Sequence, residues 1–165
     1  MWGVPIRRAQ AIAMSLSFAY MMYTALGFFT NCKSPVVVVL SGSMEPGIHR
    51  GDLLFLSNYA PYDYKNGDIT VYQIARESIT IVHRVVQTHA GPKDSSRLLL
   101  TKGDNNELDD LSLYQGLEWL EPKHVVGRVR AIIPLVGYLS ILVNEYPRLR
   151  YAIFGIMGLV NILHS

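Results

Sequence analysis

The chain has 165 residues, half of them hydrophobic and 17% charged, a length that suits one compact domain with an anchor and excludes a two-domain enzyme. The charged share lies below the roughly 25% usual for soluble domains, and mean hydropathy is +0.20, so part of the apolar sequence faces something other than a folded core and intrinsic disorder is excluded. Fifteen Lys plus Arg against thirteen Asp plus Glu leave +2, too balanced for nucleic-acid binding by electrostatics, and the lone Cys32 excludes an intrachain disulfide or a Cys-based zinc site.

Residues 9–30 contain no charge and are apolar on every helical face, with Ile12, Leu16, Phe18, Met21, Leu26 and Phe29 spread around the axis. A soluble surface helix would keep a polar stripe. Roughly 20 such residues at about 1.5 Å each span a hydrocarbon core of about 30 Å, which predicts a transmembrane helix. A cleaved signal would have a shorter core and an A-x-A-like exit, whereas this run ends in Asn31-Cys32-Lys33. Arg7 and Arg8 outweigh Lys33 and put residues 1–8 in the cytosol, so everything after Lys33 is extracytoplasmic.

From residue 31 to 147 the pattern changes to short runs rich in Val, Ile, Leu, Tyr and Thr, which predict strands over 36–41, 52–56, 68–74, 79–88, 97–101 and 125–133. Turn signals separate them: Glu45-Pro46-Gly47, Asn66-Gly67-Asp68, Ala90-Gly91-Pro92 and Gly103-Asp104-Asn105-Asn106. The fold class is mainly β, a small antiparallel sheet or a coiled, barrel-like arrangement, with helices at the two membrane ends. Residues 148–165 form the last segment; its apolar stretch 151–163 is a helix roughly 20 Å long, too short to cross a bilayer unaided and expected at or in the membrane.

Three segments carry possible chemistry. Ser43 follows an apolar strand in Leu40-Ser41-Gly42-Ser43-Met44, where small neighbours allow a substrate backbone to approach, although Ser-Gly-Ser is also ordinary loop chemistry. Strand alternation puts Ile81, His83 and Val85 on one face, so the imidazole is either a satisfied core group or a functional one. His49 and His89 fall near strand ends or loops, His124 begins a strand and His164 is terminal. Turn formation accounts for Gly103, Asp104 and Asn105 but less well for Asp109-Asp110; a carboxylate from this loop within reach of His83 would fix its tautomer and stabilise the imidazolium.

In order along the chain, Ser41-Gly42-Ser43-Met44-Glu45-Pro46, His49-Arg50-Gly51-Asp52-Leu53-Leu54-Phe55, Ile81-Val82-His83-Arg84-Val85 and Thr101-Lys102-Gly103-Asp104-Asn105-Asn106 are similar to the blocks of type I signal peptidases, most of all the catalytic subunit of the endoplasmic-reticulum signal peptidase complex. The resemblance implies Ser43 as nucleophile, His83 as general base where bacterial relatives carry lysine, Asp110 as its acidic partner with Asp104 as rival or support, and Ser41 as an oxyanion donor. It further implies a serine endopeptidase of the reticulum membrane with a lumenal catalytic domain, which cleaves signal peptides after small residues in A-x-A-like patterns. Its partners would be signal-bearing precursors, accessory membrane subunits and the bilayer, with no nucleic acid, and no metal or organic cofactor is required. Two rivals compete: a non-catalytic membrane subunit with a binding β domain, and a Ser-Lys dyad through Lys102. An extended substrate is expected to add as a strand beside 36–41 or 79–85.

Overall fold

The computed structural model describes residues 3–60, 63–74, 80–91 and 97–163. Helix α1 (Gly3–Thr30) begins before the expected start at residue 9, because Arg7 and Arg8 are good helix formers and nothing in the first turns breaks the helix. Its segment Ile6–Thr30 is long and apolar enough to cross a membrane, and its side chains find no core within the molecule. Asn31, at φ +49°, closes it: Asn31 N–H reaches Phe28 O at 3.2 Å and Cys32 N–H reaches Gly27 O at 3.0 Å, the paired bonds of a Schellman cap. The cap is tied to the domain by Asn58 N–H to Thr30 O at 2.9 Å and Asn31 Nδ2 to Asn58 O at 2.8 Å. These bonds pin the short segment 31–35, between helix and β1, to the sheet.

The domain is one six-stranded antiparallel sheet: β1 (Val36–Val38), β2 (Leu53–Ser57), β3 (Ile69–Gln73), β4 (Thr80–Ala90), β5 (Arg97–Lys102) and β6 (Val125–Ile133), in spatial order β1-β2-β6-β3-β4-β5. Each lies within a residue or two of its predicted run, except that β1 stops at Val38 rather than reaching residue 41. Val39 still makes ladder-like bonds, its N–H to Asp52 O and Gly51 N–H to its carbonyl, both 2.9 Å, before the chain turns away. Ile79 of the fourth predicted strand, Pro92 of the following turn and His164 lie outside the described residues. His124 does not begin β6; it closes a 3₁₀ turn, Pro122–His124, just ahead of it.

Neighbouring residues of β3 and β4 point to opposite faces, and each face carries a core. Tyr72, Val85, Leu99, Tyr114, Leu120 and Val125 fill the first core; Val39, Met44, Ile48, Leu54, Leu56 and Val71 fill the second, with Cys32 at its α1 end. Beyond β6 the chain forms two helices where the sequence predicts one: α2 (Tyr138–Glu145) and α3 (Pro147–Leu163). Pro147 separates them, since it starts a helix readily but cannot continue one. At 17 residues α3 is about 26 Å long, longer than expected because Arg148 and Arg150 fall inside it.

Candidate active site

Ser43 owes its position to the residues around it. After Val39 the chain exposes Leu40 (70%), then swings Met44 and Ile48 into the second core at 1% and 2% exposure. The turn between is braced from outside by the Gly103-Asp104-Asn105-Asn106 segment: Asn105 N–H donates to Ser43 O at 2.9 Å and Asn105 Nδ2 to Gly42 O at 3.1 Å. Gly103 permits this approach, because a Cβ there would stand 2.7 Å from the Ser43 carbonyl oxygen.

His83 and its surroundings follow from strand register. Thr70 pairs with His83 and Tyr72 with Ile81, while Val85 pairs with Thr101, so His83, Thr70, Tyr72 and Thr101 share one face of the sheet. Asp110 enters over that face as the first residue of a 3₁₀ turn, Asp110–Tyr114, capped by the Asp109 side chain, which accepts from Leu111 N–H. The cap separates the two members of the Asp109-Asp110 pair. Asp109 is spent outside on the backbone, and Asp110 is turned inward to 1% exposure.

The three side chains form a continuous hydrogen-bonded run. Asp110 Oδ2 lies 2.5 Å from His83 Nδ1, and His83 Nε2 lies 3.0 Å from Ser43 Oγ. With Asp110 ionised its oxygens only accept, so Nδ1 carries the imidazole proton and Nε2 is left to accept from the Ser43 hydroxyl. His83 is 3% exposed, whereas Ser43 is half-buried and Ser41 exposed; the run therefore opens to solvent only at the serine. The Ser41 hydroxyl stands 3.3 Å from Ser43 Oγ.

No family model matches the chain. Whole-chain relatives do. A protein of Schizophyllum commune named signal peptidase complex catalytic subunit SEC11 is 47% identical, with 94% of this chain and 89% of that protein covered. The human signal peptidase complex catalytic subunit SEC11C is 49% identical over 88% of this chain and 76% of its own length. Aspergillus oryzae SEC11, which carries the same name, is 47% identical over 92% and 87%. The chain belongs to the signal peptidase complex catalytic subunit family.

In this family member the remaining predicted residues sort by geometry. Asp104 does not reach His83. Arg84 holds it in a two-pronged pair, Nε to Oδ1 at 2.8 Å and Nη2 to Oδ2 at 2.7 Å, and this guanidinium keeps the Asp104 carboxyl below its ordinary range. Lys102 pairs in register with Arg84, on the sheet face opposite His83, while the Ser43 hydroxyl is already bonded to the imidazole. His49, His89 and His124 stand apart: His89 stacks edge-on against Trp119 with ring centroids 4.2 Å apart, and His124 Nδ1 accepts from Glu121 N–H. Sequence reasoning missed Tyr72 and Thr101, both fully buried and both donating to Asp110, at 3.0 and 2.6 Å. Alternation from His83 would have put them on its face only if the pairing partners of β4 were known.

A cavity of about 820 Å³ lies between α1 and the domain, lined by Tyr20, Tyr23, Lys33, Lys123 and His124 among others. Ser43 is not part of it. Among the described residues no group of three or more His, Cys, Asp or Glu is placed to hold a metal ion.

Proposed function

We propose that the chain is the serine endopeptidase subunit that removes N-terminal signal peptides from secretory and membrane precursors at the endoplasmic reticulum. The observation that carries this reading is the Ser43–His83–Asp110 run, with separations of 3.0 and 2.5 Å; the names of the relatives, all signal peptidase complex catalytic subunits, supply the substrate class. Ser43 Oγ attacks the scissile carbonyl while His83 Nε2 takes its proton, Asp110 stabilises the imidazolium, and the proton passes to the leaving amine. Water then hydrolyses the acyl-enzyme with the same base. The Ser43 backbone amide and the Ser41 hydroxyl serve the oxyanion.

α1 crosses the membrane with its N-terminus cytosolic, residues 31–147 are lumenal, and α3 sits at or in the bilayer among accessory subunits. The precursor's cleavage region lies extended beside β1 or the first half of β4, where main-chain bonds set its register. Two features favour this: β1 ends the strand order, and Thr80 to His83 have no β5 partner among the described residues. Both edges run toward the serine–histidine pair. Alternate side chains then face the enzyme, and shallow pockets two residues apart select an A-x-A-like pattern. The test is Ser43→Ala in the purified complex with a signal-bearing precursor: processing should fall at least about 10³-fold, and full processing by the folded variant refutes the reading in favour of a non-catalytic subunit.

A further inference from the structure

The carboxylate of Asp110 is 1% exposed, and an isolated buried carboxylate is costly to keep charged. Its partners are all groups that can donate to it. Oδ2 takes three contacts: His83 Nδ1 at 2.5 Å, Thr101 Oγ1 at 2.6 Å and Tyr72 OH at 3.0 Å. Behind Thr101 stands Tyr114, whose OH lies 2.8 Å from Thr101 Oγ1 and accepts from Thr101 N–H at 2.8 Å. Proton count fixes the direction of this chain. Thr101 has one hydroxyl proton and gives it to a carboxylate that can only accept, so the Tyr114 proton must go to Thr101 Oγ1. All the hydroxyls point toward Asp110. Burial, helped by the Asp110 charge, raises the Tyr72 phenol well above its ordinary range and pushes Tyr114 up to about 12, so both remain donors throughout the neutral range.

We infer that Tyr72 and Thr101 are positioning residues of the reaction: they hold the Asp110 carboxylate ionised and aimed at His83, and thereby set the pH at which the imidazole is free to accept the serine proton. The inference rests on the peptidase reading above. Its sign does not depend on which atom takes a proton. The donors stabilise the singly negative pair, neutral His83 with ionised Asp110, more than either protonated form of that pair; removing them raises the pair's proton affinity. The acid limb of the rate profile must move to higher pH.

The experiment measures precursor processing by the full chain in its purified complex against pH, for Tyr72→Phe, Thr101→Val, the double variant and Thr101→Ser. Each single variant is expected to lower kcat roughly 3- to 10-fold with KM within about twofold, and to raise the acid limb by about half a unit. The double variant should raise it by about one unit, and Thr101→Ser, which keeps the hydroxyl, should behave as the parent. Folded variants whose acid limb stays put or moves down overturn the inference, as does a Thr101→Ser variant no better than Thr101→Val. If Thr101→Val does not fold, Tyr72→Phe, which removes a single oxygen, decides alone. Ser43→Ala in the same assay separates the two failures: an active Ser43→Ala sinks the peptidase reading and this inference with it, whereas an inactive one beside unmoved profiles sinks this inference only.

Discussion

Replacing Gly103 with alanine tests whether the turn after β5 positions Ser43, the proposed nucleophile. Gly103 does not have positive φ, so alanine is not disfavoured by backbone conformation and the effect is one of contact. The new Cβ would stand 2.7 Å from Ser43 O, about 0.7 Å inside the 3.4 Å at which ordinary contact begins. The opposing atom is backbone, fixed by Asn105 N–H on one side and by buried Met44 on the other. A shift of Ser43 by that amount, if directed away from His83, would lengthen the 3.0 Å bond to at most about 3.7 Å, past hydrogen-bond range. A misplacement of about 1 Å costs on the order of 10²-fold in rate, so Gly103→Ala should lose about 10- to 50-fold in kcat/KM. The assay is single-turnover cleavage of a signal-bearing precursor, with a thermal melt of the same preparation. Parent-like cleavage by a folded Gly103→Ala protein would show that the turn does not hold the serine in place.

Three further outcomes follow from the same geometry. His83→Ala should abolish processing while Lys102→Ala, on the opposite face from His83, should leave it within a few-fold; the reverse ranking, at equal folded protein, would restore the lysine-dyad mechanism. The Asp104 carboxyl titrates below its unfolded value because of Arg84, so its contribution to stability is complete above about pH 4 and disappears as pH falls through the lower folded value. Melting temperatures of the parent and Asp104→Asn should differ at neutral pH and converge in acid. Burial and the neighbouring Lys123 lower the His124 pKa, so the unfolded chain binds that proton more readily and stability declines as pH drops below about 6.5; His124→Gln should flatten that part of the curve, and an unchanged slope would count against it.

What the sequence discloses and what it conceals divide along physical lines. The β-branched runs mark all six strands because each strand must present apolar side chains to a core, and alternation alone puts His83 on the face of Val85. Strand order is not local: β6 slots between β2 and β3 by pairing with residues that in both strands lie more than 50 positions earlier, Ser57 with Arg128 and Tyr72 with Val125 among them, and no turn signal announces it. Tyr72 and Thr101 escape for another reason: β3, β4 and β5 are neighbours in chain order, but the register that brings these donors onto the face of His83 is not written in alternation. The choice between Asp104, Asp109 and Asp110 depends on a 3₁₀ cap and an Arg84 pair, which composition cannot rank. α2 escapes a sequence reading because its eight residues, Tyr138–Glu145, fall between Gly137 and Pro147 and are too few to establish a helical period.

The fused junction at Thr30, Asn31 and Cys32 leaves no slack between the long helix and the sheet that bears Ser43. On the function proposed above, a tilt of the helix in a bilayer would carry over through these bonds to the strand that leads into Ser43. On that reading the height of the cut above the membrane is set by the junction rather than by a flexible tether, and bilayer thickness would bear on which peptide bond is presented.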